Sequence, residues 1–408
     1  MRNKALIFIN GNAHEVDASK SGVMLADYLR QDLGLTGTKI VCAEGDCGAC
    51  TVLRNDSFLR GNRSPQFLPV NSCIMTVAQL DGSSLVTVDA IGETELTPVQ
   101  SSMMTCHGSQ CGFCTPGFVM ALTGLVEKKL SAKNPAPLTE KEAKNATTGN
   151  LCRCTGYQPI VDAAKSVDLA KCESVSKKFH STAQARVLAK ACAEPLLLES
   201  DDFIFFAPVN LKDAVKYLKR HPDTRVLAAA TDLGVVHNKW KKRLTRVLSL
   251  HLVTELYGIT SLKGGRVRVG ARATLTELRD ALKDKAPEFA RFLDIFASPQ
   301  IKNVATLVGN VANASPIADT PPFLLVADAV VEVVGPKGKR EIPIEEFFLD
   351  YRKTAVRAGE LITAISFSTQ NSSESLALRK VSERKDLDIS SVNAAFRVIW
   401  ADKQKTKV

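Results

Sequence analysis

The placement of the cysteines constrains this chain more than any other feature. Eight of its eleven cysteines fall into two groups of four. In the first group, four residues separate the first two cysteines, two residues separate the next pair, and the fourth lies further along the chain. Its members are Cys42, Cys47, Cys50 and Cys73. This C-x4-C-x2-C spacing is typical of a loop that holds a [2Fe–2S] cluster through four thiolates.

A loop that wraps such a cluster must turn tightly and point its amide N–H groups at the sulfurs. Gly45 and Gly48 supply the backbone freedom that these turns need. A structural zinc ion is the alternative ligand for four cysteines. Zinc sites usually use two paired C-x2-C knuckles, whereas this group has one such pair. The spacing therefore favours the cluster.

The second group combines a C-x2-C pair with a C-x-C pair. Its members are Cys111, Cys114, Cys152 and Cys154. The first pair comes just before a helix predicted to begin at Pro116, and helix N-termini present N–H donors and positive potential to anionic thiolates. Taken alone, this group also suits zinc. The remaining cysteines are isolated and are predicted to be buried or inert thiols; they are Cys106, Cys172 and Cys192.

Composition excludes several other classes of protein. The chain has 408 residues, enough for two to four domains, and no run of about 18 apolar residues, so we expect no membrane span. A cytoplasmic location is the default, and in a reducing compartment eleven cysteines indicate metal ligation rather than disulfides. The net charge is +10, but no basic stretch is interleaved with aromatic residues. We therefore expect an acidic protein partner or a solvated surface, with no nucleic-acid binding.

Local patterns predict the order of the elements. Asn10-Gly11 predicts a type I′ turn in a hairpin, and a helix is predicted to end near Gly34. Residues 97–170 read as four short helices, the first beginning at Thr97-Pro98. From Phe206 onwards, strands alternate with helices, which is typical of an α/β or α+β domain.

Three stretches carry a specific resemblance to a known family. They are Glu44-Gly45-Asp46-Cys47-Gly48-Ala49-Cys50, Gln110-Cys111-Gly112-Phe113-Cys114-Thr115-Pro116-Gly117 and Gly149-Asn150-Leu151-Cys152-Arg153-Cys154-Thr155-Gly156-Tyr157. They resemble the xanthine dehydrogenase and aldehyde oxidase family of molybdenum hydroxylases, in the order in which that family carries them. The resemblance covers nearly the whole chain.

The resemblance implies an α+β multidomain fold. Residues 1–88 would form a β-grasp ferredoxin-like [2Fe–2S] domain and residues 89–172 a four-helix [2Fe–2S] domain. Residues 173–200 would be a linker, and residues 201–375 an α/β FAD-binding domain of the PCMH type. Residues 376–408 would begin a C-terminal domain like that of the CO dehydrogenase flavoprotein, truncated here relative to the family.

The resemblance also implies which residues contact FAD. They are Leu227, Ala228, Ala229, Ala230, Thr231, Asp232, Leu233, Gly234, Phe296, Thr306, Leu307, Val308, Gly309, Asn310, Asp319 and Lys380. Three of these depart from the family, which commonly has glycine at positions 229, 230 and 308. The extra methyl groups would crowd the pyrophosphate or force an unfavourable φ, so we expect substoichiometric FAD. Without the resemblance, these segments read as ordinary βα turns.

By resemblance, the chain is an electron-transfer subunit without a catalytic residue of its own. A large molybdopterin-binding partner subunit would oxidise a purine or other heterocycle, in a heterodimer or a dimer of heterodimers. Electrons would pass through the Cys111 cluster, the Cys42 cluster and FAD to NAD. Gln110 and Cys154 occupy the positions that approach the pterin. Two alternatives stay open: a two-cluster relay for aldehyde or heterocycle oxidation with weak or no FAD, and a zinc-stabilised scaffold protein.

Overall fold

The computed structural model describes residues 1–61, 65–92, 94–240, 244–369, 373–402 and 405–407. The helices are α1 Ala18–Ser21, α2 Leu25–Asp27, α3 Pro98–Thr105, α4 Thr115–Leu130, α5 Glu140–Thr147, α6 Gln158–Ser166, α7 Val175–Phe179, α8 Thr182–Cys192, α9 Leu211–Arg220, α10 Leu233–Lys239, α11 Leu275–Leu282, α12 Pro287–Asp294, α13 Pro299–Lys302, α14 Leu307–Ala312, α15 Pro321–Val326 and α16 Ile344–Phe347. The strands are β1 Ala5–Ile9, β2 Asn12–Val16, β3 Thr51–Asn55, β4 Leu68–Asn71, β5 Ser83–Val86, β6 Leu196–Glu199, β7 Ile204–Ala207, β8 Arg225–Leu227, β9 Arg246–Ser249, β10 Ile259–Leu262, β11 Arg266–Gly270, β12 Val330–Gly335, β13 Gly338–Pro343, β14 Phe348–Asp350, β15 Lys353–Thr354, β16 Leu361–Ser368, β17 Glu374–Val381, β18 Val392–Asp402 and β19 Lys405–Lys407. No helix in these ranges is long and apolar enough to cross a bilayer.

The chain folds into two compact units. The first contains residues 1–207, 230–252 and 299–303, and the second contains residues 208–229, 253–298 and 304–408. The predicted α+β multidomain class is confirmed.

The first unit begins with a five-stranded sheet in the order β2-β1-β5-β3-β4. The predicted hairpin turn is present between β1 and β2: Asn10 and Gly11 have φ angles of 53° and 86°. Both lie in the left-handed region that a type I′ turn requires, and asparagine and glycine enter it at low cost. The helix predicted to end near Gly34 consists of α2 followed by a π-helical turn over Tyr28–Asp32.

The four predicted helices of the next region are α3 to α6. Thr97 caps α3 by accepting a hydrogen bond from the Gln100 amide, and Gln100 bonds back to the Thr97 amide, which is the reciprocal pattern of a capping box. Thr139 caps α5 in the same way. The helix α4 is the central element of the hydrophobic core of this helical region, because Phe118, Met120 and neighbouring side chains are buried along most of its length.

Residues 173–200 were expected to be a linker, but this segment is folded. It contains α7, α8 and β6. The buried carboxylate of Glu127 accepts hydrogen bonds from the amides of Val175 and Ser176, at 2.8 and 3.0 Å, which satisfies free donors at the start of α7. The weak periodicity of the segment concealed these helices, although Ser181 and Gln184 form a capping box at the start of α8.

The second unit is built on a five-stranded antiparallel sheet in the order β10-β11-β16-β12-β13. Its central strand β16 is buried over most of its length. The helix α11 is capped by Thr274 and Glu277 in a further capping box. The strands β17, β18 and β19 form a separate antiparallel sheet near the C-terminus.

Candidate metal centres and flavin segments

The first group of cysteines converges in the first unit. Cys42, Cys47 and Cys50 lie on the loop before β3, and Cys73 follows β4. The Cys42 thiol contacts those of Cys47 and Cys73, and the Cys50 thiol contacts that of Cys73. In the described part of the chain, no group of three or more His, Cys, Asp or Glu side chains is arranged to hold one metal ion. The sulfurs instead touch in a chain from Cys47 through Cys42 and Cys73 to Cys50, and a [2Fe–2S] cluster takes four thiolates from the protein.

The contacts between these thiols shift their acidity in opposite directions. The S–H groups of Cys47 and Cys73 donate to the Cys42 sulfur and hold the pKa of that thiol well below its usual range. The same donation, reinforced by burial, raises the pKa of Cys47 and of Cys73. The backbone amide of Cys47 also donates to the Cys42 sulfur, at 3.4 Å. The loop thus supplies N–H donors to a sulfur, which is the environment that anionic thiolates need.

Two glycines allow this loop to close. Gly45 and Gly48 have φ angles of 78° and 68°, in the left-handed region. A Cβ atom on Gly48 would lie 2.2 Å from the Gly149 carbonyl oxygen, and one on Gly45 would lie 2.7 Å from the Ile74 side chain. No other residue fits at Gly48 without backbone movement. The four thiols and this tight cradle fit a [2Fe–2S] cluster.

The second group of cysteines also converges, here as two pairs. The Cys114 thiol contacts that of Cys152, and the Cys111 thiol contacts that of Cys154. Burial, followed by the contact with Cys152, raises the pKa of Cys114 to about 12. Burial alone would raise the pKa of Cys152, but hydrogen bonds from the Thr155 hydroxyl and amide outweigh it and lower that pKa. Cys111 and Cys154 are exposed, so this site opens at the surface of the unit.

Helix ends position the second group. Cys114 is the residue before α4, and α6 begins shortly after Cys154. Between them, Tyr157 adopts a φ of 70°, and its hydroxyl accepts a hydrogen bond from the Cys152 amide at 3.0 Å. The Tyr157 ring also meets Phe118 of α4 edge-on, with centroids 6.3 Å apart. This contact connects the two cysteine-bearing segments. The four thiols at these helix ends fit a second [2Fe–2S] cluster.

The two cysteine loops are bonded directly to each other. The Leu151 amide donates to the Cys47 carbonyl at 2.9 Å, and the Asn150 side chain donates to the Gly48 carbonyl at 3.1 Å. A Cβ atom on Gly117, in the first turn of α4, would lie 2.2 Å from the same Gly48 carbonyl oxygen. One hydrogen bond therefore connects Cys47 of the first group to the neighbour of Cys152 in the second.

The first predicted flavin segment is divided between the units: residues 227–229 belong to the second and residues 230–234 to the first. Ala230 adopts a φ of 60°, whereas Ala229 has no positive φ. Gly234 lies so close to the Ile74 carbonyl that a Cβ atom would be 2.1 Å from the oxygen. Leu227 and Ala230 are buried, and the remaining residues are half-buried; these are Ala228, Ala229, Thr231, Asp232 and Leu233.

The second predicted flavin segment begins α14 in the second unit. Thr306 caps this helix by accepting a hydrogen bond from the Gly309 amide at 2.9 Å. The Asn310 side chain accepts a hydrogen bond from the Thr320 hydroxyl at 2.6 Å. Leu307 and Val308 are buried. The valine at the position of a family glycine therefore belongs to the core of this unit.

Two of the predicted FAD contacts pair with each other. Lys380 and Asp319 form a buried ion pair at 2.7 Å. The Asp319 carboxylate also accepts hydrogen bonds from Ser390 and from Asn393, the latter at 3.1 Å. Phe296, in the turn after α12, is half-buried. The carboxylate is thus fixed by β17, β18 and the chain between them.

Sequence reasoning missed several residues that hold these loops. Asn150 bridges the two cysteine groups, Tyr157 caps the Cys152 amide, and Asn238 of α10 bonds the first loop. Asn150 and Tyr157 stand inside the quoted motif around Cys152, which was the one available signal. No local pattern marks Asn238, because its partners lie more than 160 residues earlier in the chain.

The chain matches the models of three domain families. Residues 7–78 match the 2Fe-2S iron-sulfur cluster binding domain, and residues 87–165 match the [2Fe-2S] binding domain. Residues 201–368 match the FAD binding domain in molybdopterin dehydrogenase.

Comparison with whole proteins also points to the xanthine dehydrogenases. Xanthine dehydrogenase 1 of Arabidopsis thaliana is 31% identical over 98% of this chain, and the xanthine dehydrogenase of Drosophila subobscura is 32% identical over 98%. The chain spans about a third of the length of these relatives. Among solved structures, reconstituted CO dehydrogenase from Oligotropha carboxidovorans is similar with a TM-score of 0.47 and 27% identity, covering 51% of this chain and 73% of that one.

The fold and the two thiol loops therefore define a protein with two [2Fe–2S] domains followed by an FAD-binding domain. The chain is homologous to the N-terminal part of the xanthine dehydrogenases.

Proposed function

We propose that this chain is the electron-transfer part of a xanthine dehydrogenase-like molybdenum hydroxylase. Electrons from a substrate oxidised at a partner's molybdopterin centre pass through two [2Fe–2S] clusters to FAD and then to NAD. The residues of this chain hold and insulate these groups, and the hydroxylation itself belongs to the partner. Cys42, Cys47, Cys50 and Cys73 hold one cluster, and Cys111, Cys114, Cys152 and Cys154 hold the other. We keep the domain boundaries expected from the sequence, except that residues 173–200 form a folded segment rather than a linker.

The bonded junction between the two cysteine loops is the observation that carries this proposal. A zinc-stabilised scaffold needs no contact between two separate metal sites. A relay does, because electrons must cross from one group to the other. Here the Cys47 carbonyl is bonded to the Leu151 amide, and Gly48 and Gly117 permit backbone contact beside it. The chain thus brings the two loops that carry the thiols, about a hundred residues apart in sequence, into direct contact.

The flavin assignment rests on the family match over residues 201–368 and on the helix ends in both predicted segments. The backbone amides in the first turn of α14 would face the pyrophosphate, since helix N-termini bind phosphate. The Lys380–Asp319 pair would sit beside the nucleotide. NAD as the final acceptor follows from the xanthine dehydrogenase homology alone.

The partner would dock where the second cysteine group opens. Gln110, Cys111 and Cys154 are exposed there. Large apolar side chains beside these cysteines are exposed too: Phe113 by 51% and Leu151 by 57%. Exposed apolar side chains next to a functional group are typical of a protein interface. We propose a large molybdopterin-binding subunit in a heterodimer or a dimer of heterodimers.

The visible spectrum of the purified native complex tests this function. We expect the broad absorption of two [2Fe–2S] clusters, flavin peaks above them, and reduction of both on addition of a heterocyclic substrate. Stoichiometric zinc with a colourless protein would instead establish the scaffold alternative. Clusters that form but stay oxidised with purines and become reduced with aldehydes would leave the relay intact and change the substrate class.

A second candidate function is a two-cluster relay with weak or no FAD. The positive φ of Ala230 favours it, because an alanine is strained in that conformation. Flavin content per two-cluster chain separates the two candidates. A full equivalent of FAD supports the first, and a small fraction that stays low after incubation with excess FAD supports the second.

A further inference from the structure

One side chain of α10 bonds both chain segments that carry the first cysteine group. The Asn238 amide nitrogen donates to the carbonyl oxygens of Ala43, at 2.9 Å, and Cys73, at 2.8 Å. A carboxamide NH₂ has two hydrogens, and each is used on one of these carbonyls. Cys73 is a predicted ligand, and Ala43 follows the predicted ligand Cys42.

The Ala43 carbonyl orients an N–H group next to a predicted ligand. The peptide between Ala43 and Glu44 is planar, so its oxygen and its N–H point in opposite directions. The oxygen accepts from Asn238, and the Glu44 N–H lies near the Cys42 sulfur, where it helps to lower the pKa of that thiol. A rotation of this peptide that broke the first bond would also turn the N–H away from the sulfur.

This peptide is not in a conformation that the chain adopts freely. Ala43 has a φ of 53°, in the left-handed region, which is unfavourable for alanine. The hydrogen bond from Asn238 therefore stabilises a strained residue beside a ligand. Without that bond, the peptide is free to relax.

The helix that carries Asn238 is itself held firmly. Gly234, one turn earlier on the same face, contacts the Ile74 carbonyl so closely that it leaves no room for a Cβ atom. Val235 packs against the buried cluster formed by Ala26, Cys50, Cys73 and Ile74. Asn238 thus acts from a rigid support, which makes it a precise constraint on the loop.

We propose that Asn238 is a positioning residue that sets the reduction potential of the first cluster. This inference rests on the proposed function, since it requires a [2Fe–2S] cluster on Cys42, Cys47, Cys50 and Cys73. An N–H donor stabilises the more negative, reduced state of a cluster, so hydrogen bonds to sulfur raise its potential. Asn238 fixes the peptide whose N–H, that of Glu44, lies near the Cys42 sulfur.

Redox titration of the purified holoprotein, followed by electron paramagnetic resonance, tests this role. Asn238→Ala removes the carboxamide, and Asn238→Asp keeps its shape but loses both donors. In each variant we expect the midpoint potential and the signal shape of the first cluster to change, with the potential falling. The second cluster should stay unchanged. Val236→Ala, on the same helix but with no donor for either carbonyl, is the control and should leave both potentials alone.

A rescue experiment separates positioning from general damage. Ala43→Gly removes the penalty of the positive φ, so the peptide can keep its orientation without Asn238. In the Asn238→Ala background we expect this second substitution to restore part of the decrease in the midpoint potential of the first cluster. Unchanged first-cluster potentials in both Asn238 variants, or equal shifts in both clusters, would overturn the role of Asn238. If the unmodified protein shows no first-cluster signal, the cluster assignment itself fails, and this inference fails with it.

Discussion

The roles proposed for individual cysteines can be separated by substitution. Cys47→Ser should remove the signal of the first cluster and leave the second, because a serine hydroxyl is a poor replacement for a soft thiolate. Cys152→Ser should do the reverse. Cys172→Ser, at a half-buried thiol outside both groups, is the matched control and should preserve both signals. Electron paramagnetic resonance of the reduced proteins measures this. Persistence of both signals in either ligand variant would refute the assignment.

The two neighbouring alanines of the first flavin segment should respond in opposite directions to glycine. In Ala230→Gly, relief of the left-handed conformation, roughly 1–2 kcal/mol, outweighs the loss of a buried methyl, roughly 0.8 kcal/mol. We expect the free energy of unfolding to rise by up to about 1 kcal/mol and the flavin content to rise with it. Ala229→Gly has no such strain to relieve and should lower stability slightly. Chemical denaturation and flavin release on precipitation measure the two effects. Equal responses of the two variants would show that the φ of Ala230 is irrelevant.

At the scale of elements, the contact between the start of α4 and the first cysteine loop should be intolerant of a single methyl group. In Gly117→Ala the new Cβ meets backbone atoms of Gly48 and Ala49, which cannot move without shifting the loop. We expect a loss of about 1–3 kcal/mol of stability, as for overpacking, and weakened binding of both clusters. Iron and sulfide content and thermal unfolding measure the result.

Gly124→Ala is the matched control, because it makes the same substitution in the same helix. Its Cβ meets the side chains of Pro69 and Leu53 rather than backbone. Gly124 is also about 10 Å along the helix from Gly117, given a rise of about 1.5 Å per residue. Some stability should be lost, but both clusters should be retained. Loss of the clusters in this variant too would mean that the loop junction has no special role.

Several elements with strong end signals could be predicted, whereas an element that depends on distant residues could not. The turn at Asn10-Gly11 and the helix start at Thr97-Pro98 are local, since each depends on bonds among neighbouring residues. The helix α7 depends instead on Glu127, about fifty residues earlier, whose carboxylate bonds its first amides. A pattern in residues 173–200 alone cannot contain that information.

At the scale of the whole first unit, Asp81 joins segments that are far apart in the chain. It accepts a two-point hydrogen bond from Arg2, at 2.8 and 2.7 Å, and lies 3.3 Å from His251. Burial alone would raise the pKa of Asp81, but the hydrogen bonds from Arg2 and His251 outweigh it and lower that pKa to about 2. The carboxylate is therefore stabilised in its charged form.

This lowered pKa predicts a pH dependence of stability. A depressed carboxyl pKa stabilises the fold above the ordinary value of 3.8, and this contribution disappears as pH falls through about 2. It amounts to about 2 kcal/mol. Asp81→Asn should unfold more easily at pH 7, and its difference from the unmodified chain should shrink between pH 4 and pH 2. The difference between the two proteins is the readout, because loss of the proposed clusters in acid would affect both alike. A constant difference would contradict the prediction.

The proposed partner interface can be tested on the whole complex. Phe113→Asp or Leu151→Asp should abolish copurification of the large subunit, because each places a charge in an apolar contact. Leu349→Asp, at a side chain that is 64% exposed in the second unit, is the control and should leave the complex intact. Retention of the partner by both interface variants would move the docking site elsewhere.

The sequence by itself determined the two sets of cysteines, the type of cluster that they suit, and the order of the domains. Ligand spacing is a local property, so a C-x4-C-x2-C pattern with two glycines can be recognised without knowledge of what surrounds the loop. The departures at positions 229, 230 and 308 were visible for the same reason. Their consequences were not, because the φ of Ala230 and the burial of Val308 depend on packing.

Tertiary structure alone decided how these local sites are joined. It placed Leu151 against Cys47, paired Lys380 with Asp319, and put the Asn238 carboxamide between Ala43 and Cys73. Each of these contacts links residues about sixty to two hundred positions apart. Hydrogen bonds and close backbone contacts act over a few ångströms in space, with no regard to separation along the chain. Only the folded arrangement of the elements could therefore select these partners.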